Sequence, residues 1–141
     1  MNITLEKFGY PETLVKEYDN WVVLLKPEQT TLGTFIIANK SEATYLGELP
    51  PEDWAEFSSI SRDAELVLTN ELGAEKFNYL ALMMKDPNVH FHLVPRYSKP
   101  QSFNGRDYVD KDWPGKTELG KIDLNEESFD ILLERLRGAI G

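Results

Sequence analysis

Both histidines of this 141-residue chain, His90 and His92, stand two positions apart in the run VHFHLVPR at residues 89–96. Neutral imidazole is a nucleophile near pH 7, and its ordinary pKa of about 6.5 lets it leave again once protonated. A second imidazole beside it can hold a phosphate oxygen or protonate a leaving group. Nearby basic groups would balance the charge of a phosphoryl group, whose transfer is mostly positioning and electrostatics. The pair therefore suits attack on phosphorus without a metal. Two other uses stay open. HxH on a strand also offers two imidazoles to zinc, although the chain has no third histidine and no cysteine, so Asp or Glu would have to complete the shell. Alternatively, the rings are structural, hydrogen-bonded on a half-buried sheet face.

Such rings need a sheet to hold them. In a strand, alternate side chains share a face, so Asn88, His90, His92, Val94 and Arg96 line up together while Val89, Phe91 and Leu93 point into a core. WVVLL at 21–25 and TFIIA at 34–38 are β-rich and flank KPEQTTLG, a turn-like segment, which suggests an antiparallel pair. ETLVKEY at 12–18 reads as a short helix after Pro11. A long helix follows Pro50-Pro51, from Glu52 to Leu72, with Trp54, Phe57, Ile60, Ala64, Val67, Leu68 and Leu72 at three- and four-residue steps. Trp54 and Phe57 read as core, and Gly73 as the helix stop. KFNYLALMM at 76–84 reads as a strand, KDPN at 85–88 as a tight turn, and the histidine segment as the partner strand. Residues 98–121 read as irregular, and a terminal helix is expected at 126–137. Strands before and after one long helix indicate an α+β domain built on an antiparallel sheet.

Composition narrows the setting. The length fits one domain, and 41% hydrophobic content indicates a globular chain. No apolar run approaches the roughly 20 residues that span a bilayer, and the start MNITLEKFGYPE lacks a basic flank followed by an apolar stretch. A cytoplasmic protein with no membrane partner is the expectation. The absence of cysteine excludes disulfides and thiol catalysis. A net charge of −9 argues against a nucleic-acid polymer as partner. The charge is uneven, because residues 85–121 carry seven basic and five acidic side chains within an otherwise acidic chain. That segment is either a solvated loop or a local anion site.

The segment VHFHLVPRY resembles the signature of the histidine triad superfamily of nucleotide hydrolases and transferases, in which three histidines alternate with apolar residues, often before Pro-Arg. Here it runs Asn88-Val89-His90-Phe91-His92-Leu93-Val94, then Pro95-Arg96. Within that superfamily, NYLALMMKDPNVHFHLVPRY resembles a bacterial branch labelled diadenosine-tetraphosphate hydrolase-like. The resemblance covers roughly residues 20–97, and the motif is its specific part. It implies a half-barrel-like antiparallel sheet with one long central helix and a C-terminal helix, assembled as a homodimer. It also implies that His90 attacks the α-phosphorus of a nucleotide or dinucleoside polyphosphate. Water then frees a nucleoside monophosphate from the nucleotidyl-imidazole intermediate. His92 would contact the phosphate or the bridging atom of the leaving group. No cofactor and no metal enter that scheme.

The departures are informative. Asn88 replaces the first histidine, leaving a dyad; in the family, the backbone carbonyl at that position helps orient the nucleophile, and Asn88 still supplies one. Its side chain hydrogen-bonds but takes up no proton at neutral pH. Leu24 and Thr34 fall where many relatives carry a ribose-binding asparagine and a phosphate-proximal histidine. The alternative reading is thus a nucleotide-binding module with little turnover. Lys85, Thr34, Gln29 and Arg96 are the candidate substrate contacts. Gln29, Thr30 and Thr31 also read as plain turn residues, and Arg96 as a support for the following loop. Lys99, Phe103, Asn104 and Arg106 are candidates for a lid, or for an ordinary surface loop.

Overall fold

The computed structural model describes residues 2–141. Its core is a five-stranded antiparallel sheet in the order β1-β2-β3-β5-β4, formed by β1 (Leu14–Glu17), β2 (Trp21–Leu25), β3 (Phe35–Asn39), β4 (Lys76–Leu80) and β5 (His90–Arg96). β2 and β3 are the expected antiparallel pair, and the α+β class is as read from the sequence. The long helix α2 (Pro51–Leu72) has Pro51 in its first turn, where a missing N–H costs nothing. It ends at Gly73, whose φ of 77° is left-handed. The C-terminal helix α3 (Glu126–Ala139) is capped by the Asn125 side chain on the Ser128 amide.

Parity divides the sheet into two faces. Trp21, Val23, Leu25, Phe35, Ile37 and Leu93 point toward α2 and α3 and form the main core with Ile60, Ala64, Leu68, Leu132 and Leu136. Trp54 and Phe57 are half-buried against this core, stacked around Trp21 and Phe91. Val22, Leu24, Ile36 and Ala38 point the other way and form a second cluster with Phe8. His90 and His92 belong to that second face, since Ala38 pairs with His90 and Ile36 with His92.

The second face is covered by an unexpected element, the short helix α1 (Ile3–Lys7). Asn2 caps it by accepting from the Leu5 amide, and its Nδ2 donates to the carbonyls of Asn39 and Ser41. Of residues 12–18, read as a helix, Leu14–Glu17 instead form β1, an edge strand pairing Lys16 with Val23 and Glu17 with Val22. Pairing against β2 and burial of Val15 outweighed the weak local helix preference. β4 stops at Leu80, four residues short of the expected end. Met83 has a φ of 43°, incompatible with a strand, and residues 81–89 form a wider loop than the KDPN turn alone. Within the segment read as irregular, β6 (Gln101–Phe103) and β7 (Arg106–Tyr108) make a hairpin with Asn104-Gly105 at its tip.

Candidate functional site

β5 positions the two imidazoles, with ring centroids 5.2 Å apart on the face covered by α1. His90 Nδ1 lies 2.8 Å from the Asn88 carbonyl oxygen. A carbonyl only accepts, so Nδ1 carries the proton and Nε2 keeps the lone pair. That is the tautomer a nucleophile needs. His92 Nδ1 is buried without a hydrogen-bond partner. An orphaned acceptor is tolerated better than an orphaned N–H, so the ring proton belongs on Nε2, leaving His92 a donor.

Burial keeps both rings neutral. It lowers the His90 pKa below 6.5, opposed by the Asn88 carbonyl and by Asp86. Burial lowers that of His92 to about 3, helped by Lys26 and by His90 itself. Phe8 supplies much of the apolar cover, with its ring 5.5 Å from His90 and edge-on at 5.8 Å from His92.

Two clefts meet at these rings, sharing His92 and Asp86. One, of about 310 Å³, is walled by Leu82, Met83, Met84 and Leu119 and reaches His90. The other, of about 230 Å³, is walled by Phe8, Lys7, Lys26 and Glu28. The first is apolar and the second charged. Lys85 lies on the rim of the apolar cleft with its side chain exposed.

Asn88 is buried, and both the oxygen and the nitrogen of its side-chain amide are hydrogen-bonded. Oδ1 accepts from the Thr4 amide at 3.3 Å and the Thr4 hydroxyl at 3.2 Å, while Nδ2 donates to the Glu42 carbonyl at 3.1 Å. Its own amide donates to Thr4 Oγ1 at 3.0 Å. Asn88 therefore clasps α1 to the motif strand, and this holds Phe8 against the histidines.

Three candidate contacts are occupied elsewhere. Gln29 bridges the β2–β3 turn, donating to the carbonyls of Lys26 and Thr34 and accepting from the amides of Gly33 and Thr34. Thr34 Oγ1 accepts from the amides of Thr30 and Thr31 and donates to the Thr31 carbonyl. Arg96 is buried in an ion pair with Asp110, at 2.6 Å, and donates further to Asn78 and the Gly115 carbonyl. Parity put Arg96 on the histidine face, but its guanidinium fastens the 106–115 region. In the structure these three side chains hold the β2–β3 turn and the loop after β5. Of the lid candidates, Phe103 is core, Asn104 bonds to Ser128 on α3 and Arg106 pairs with Asp123, so the hairpin packs away from the clefts.

Phe8 and Lys26 were not expected at the site. The signal for the covering segment was present, because WVVLL and TFIIA are apolar at nearly every position, as strands buried on both faces are. Lys26 continues the even-numbered row of Val22 and Leu24, which is the histidine face. Among the described residues, no group of three or more His, Cys, Asp or Glu gathers to hold a metal ion.

No family profile matches the sequence, and no curated protein does. Solved structures do. A histidine triad protein from Sinorhizobium meliloti 1021 is 21% identical with a TM-score of 0.75, over 99% of this chain and 96% of that one. A histidine triad protein from Marinobacter aquaeolei VT8 is 22% identical with a TM-score of 0.71, over 90% and 87%. A hypothetical histidine triad nucleotide-binding protein from Sulfolobus tokodaii strain 7 is 17% identical with a TM-score of 0.67, over 90% and 82%. At such identities the likeness concerns architecture: the chain has the fold of the histidine triad proteins.

Proposed function

We propose that this chain binds a nucleotide and transfers its nucleotidyl group through His90. The observation that carries this reading is the 2.8 Å contact between His90 Nδ1 and the Asn88 carbonyl, which leaves the Nε2 lone pair free beside a second neutral imidazole. Nε2 attacks the α-phosphorus and forms a P–N bond as the bond to the leaving group breaks. His92 donates to a phosphate oxygen or to the bridging atom. Water then attacks the same phosphorus, the P–N bond breaks, and a nucleoside monophosphate departs. The apolar cleft beside His90 suits the base, and Lys85 on its rim suits a phosphate or ribose oxygen. Asn88 acts through its carbonyl and its clasp, not as an acid or base.

Dinucleoside polyphosphates and adenosine phosphoramidate are the assay substrates. Wild type should turn over at least one of them, and His90→Ala should lose roughly a thousandfold or more in rate. Equal, near-background rates for both would refute the catalytic reading. The second reading, a binding module with little turnover, is favoured by the engagement of the Asn88 side chain with Thr4 and Glu42. It predicts AMP binding that survives His90→Ala without product. A homodimer with one complete His90/His92 site per protomer completes the proposal. It is supported by the open edge of β4 and the exposed Leu82 and Met84 beyond it.

A further inference from the structure

Release of the nucleotidyl group from His90 to water, the second half of the proposed transfer, calls for a group that takes a proton from that water. A positioned base is worth about 10²–10⁴ in rate at such a step. Displacement at phosphorus runs with the entering and departing atoms roughly in line, so water must approach opposite the bond to His90 Nε2. The base has to reach that side while standing close to His90. Two side chains line both clefts, His92 and Asp86. His92, with its proton on Nε2, only donates toward the clefts, and moving that proton to Nδ1 would strand an N–H in the dry interior. A carboxylate only accepts. Glu28, the other carboxylate, lines the charged cleft but not the one that reaches His90, and it is exposed.

The chain holds Asp86 in place. Pro87 follows it and disfavours helical backbone there, and Asn88 is then clasped to α1 through Thr4. The carboxylate is half-buried, and its ion-pair partner is Lys7, whose Nζ lies 3.7 Å from Oδ1 on a largely exposed side chain. A pair that long and that wet leaves lone pairs for a water molecule. The charge of Asp86 is felt at His90, whose pKa it raises against the lowering by burial. A carboxylate there also repels the incoming phosphate, a cost in the first step that a role in the second offsets. Resting on the proposed nucleotidyl transfer, we infer that Asp86 is the general base of the hydrolytic half-reaction, a catalytic residue outside the histidine pair. An Asp86 oxygen accepts a proton from water while the water oxygen forms its bond to the α-phosphorus. The P–N bond breaks, its electron pair returns to His90 Nε2, and a nucleoside monophosphate leaves. Asp86 then gives the proton to solvent.

The two halves separate when the protein is mixed with a dinucleoside polyphosphate, stopped in alkali at timed intervals and assayed for adduct on His90. Asp86→Asn, close in size but without a basic oxygen, should load His90 at close to the wild-type rate. It should then release the nucleotidyl group to water roughly a hundredfold more slowly, so that adduct accumulates where in wild type it stays a minor fraction. Fluoride has no proton to lose, so it should clear loaded Asp86→Asn as it clears loaded wild type, giving a nucleoside phosphorofluoridate. Asp86→Glu should recover part of the lost release rate. Equal release to water in wild type and Asp86→Asn overturns the inference, as does an Asp86→Asn protein that loads as poorly as it releases or that fluoride fails to clear. Those results leave nucleotidyl transfer standing. A wild type that shows neither adduct nor product refutes that transfer, and the inference with it.

Discussion

Neutral imidazole is the form of histidine that attacks phosphorus, and burial on β5 holds both His90 and His92 in it. The pH dependence follows. An acid limb set by His90 should fall below the ordinary 6.5, so a rate profile that drops at 6.5 or above would show that the ring is better solvated than Phe8 and the sheet imply. Stability carries the same signature. The His92 pKa is about 3 folded and near 6.5 unfolded, so between those values the unfolded chain binds the extra proton. Its contribution is fully present above pH 6.5 and is lost as pH falls toward 3, at no more than about 1.4 kcal/mol per pH unit. Denaturant unfolding of wild type and His92→Gln should therefore diverge across that window, with wild type losing stability faster; parallel curves would contradict the assignment. The alternation in VHFHLVPR was enough to place both rings on one face. The occupation of Gln29, Thr34 and Arg96 was not legible, because each is held by backbone groups or by an acid distant in sequence, Asp110 for Arg96.

α1 explains why Asn88 stands at the first position of the motif. The site there asks for an acceptor of two hydrogen bonds and a donor of one within a short reach, and an asparagine amide supplies both from one carbon. A histidine has one donor and one acceptor on opposite sides of a larger ring. Asn88→His should therefore lower the melting temperature and give no gain in turnover, and a large gain would reveal a decayed site. Thr4→Val should cost about 1–3 kcal/mol, since it strands buried groups on Asn88. Combined with Asn88→Ala, it should cost less than the sum of the two singles, because both cut one clasp. Histidine NMR titrations supply a readout that a purely structural contact would not move: with α1 loosened, the His92 pKa should climb toward 6.5. α2, α3 and the β2–β3 pair were plain in the sequence because their apolar periods are long and their ends are marked by Pro51, Gly73 and Asn125. α1 was not, since a five-residue helix has little period to show and is fixed by distant partners, Asn39 and Asn88.

At the scale of the whole molecule the two faces of the sheet have separate roles. One is buried under α2 and α3, and the other holds the histidines beneath α1. No helix among the described residues is long and apolar enough to cross a membrane. β4 remains an open edge, and light scattering at micromolar concentration should return about twice the 16.2 kDa chain mass; a value near 16.2 kDa would contradict the proposed dimer. A nucleotidyl group carried on His90 is the claim on which the proposed function turns. Wild type mixed with a dinucleoside polyphosphate, quenched in alkali to preserve the P–N bond and read by peptide mass spectrometry, should show the adduct on the peptide containing His90. His90→Ala should show no adduct and no product. Turnover that survives His90→Ala would contradict that claim.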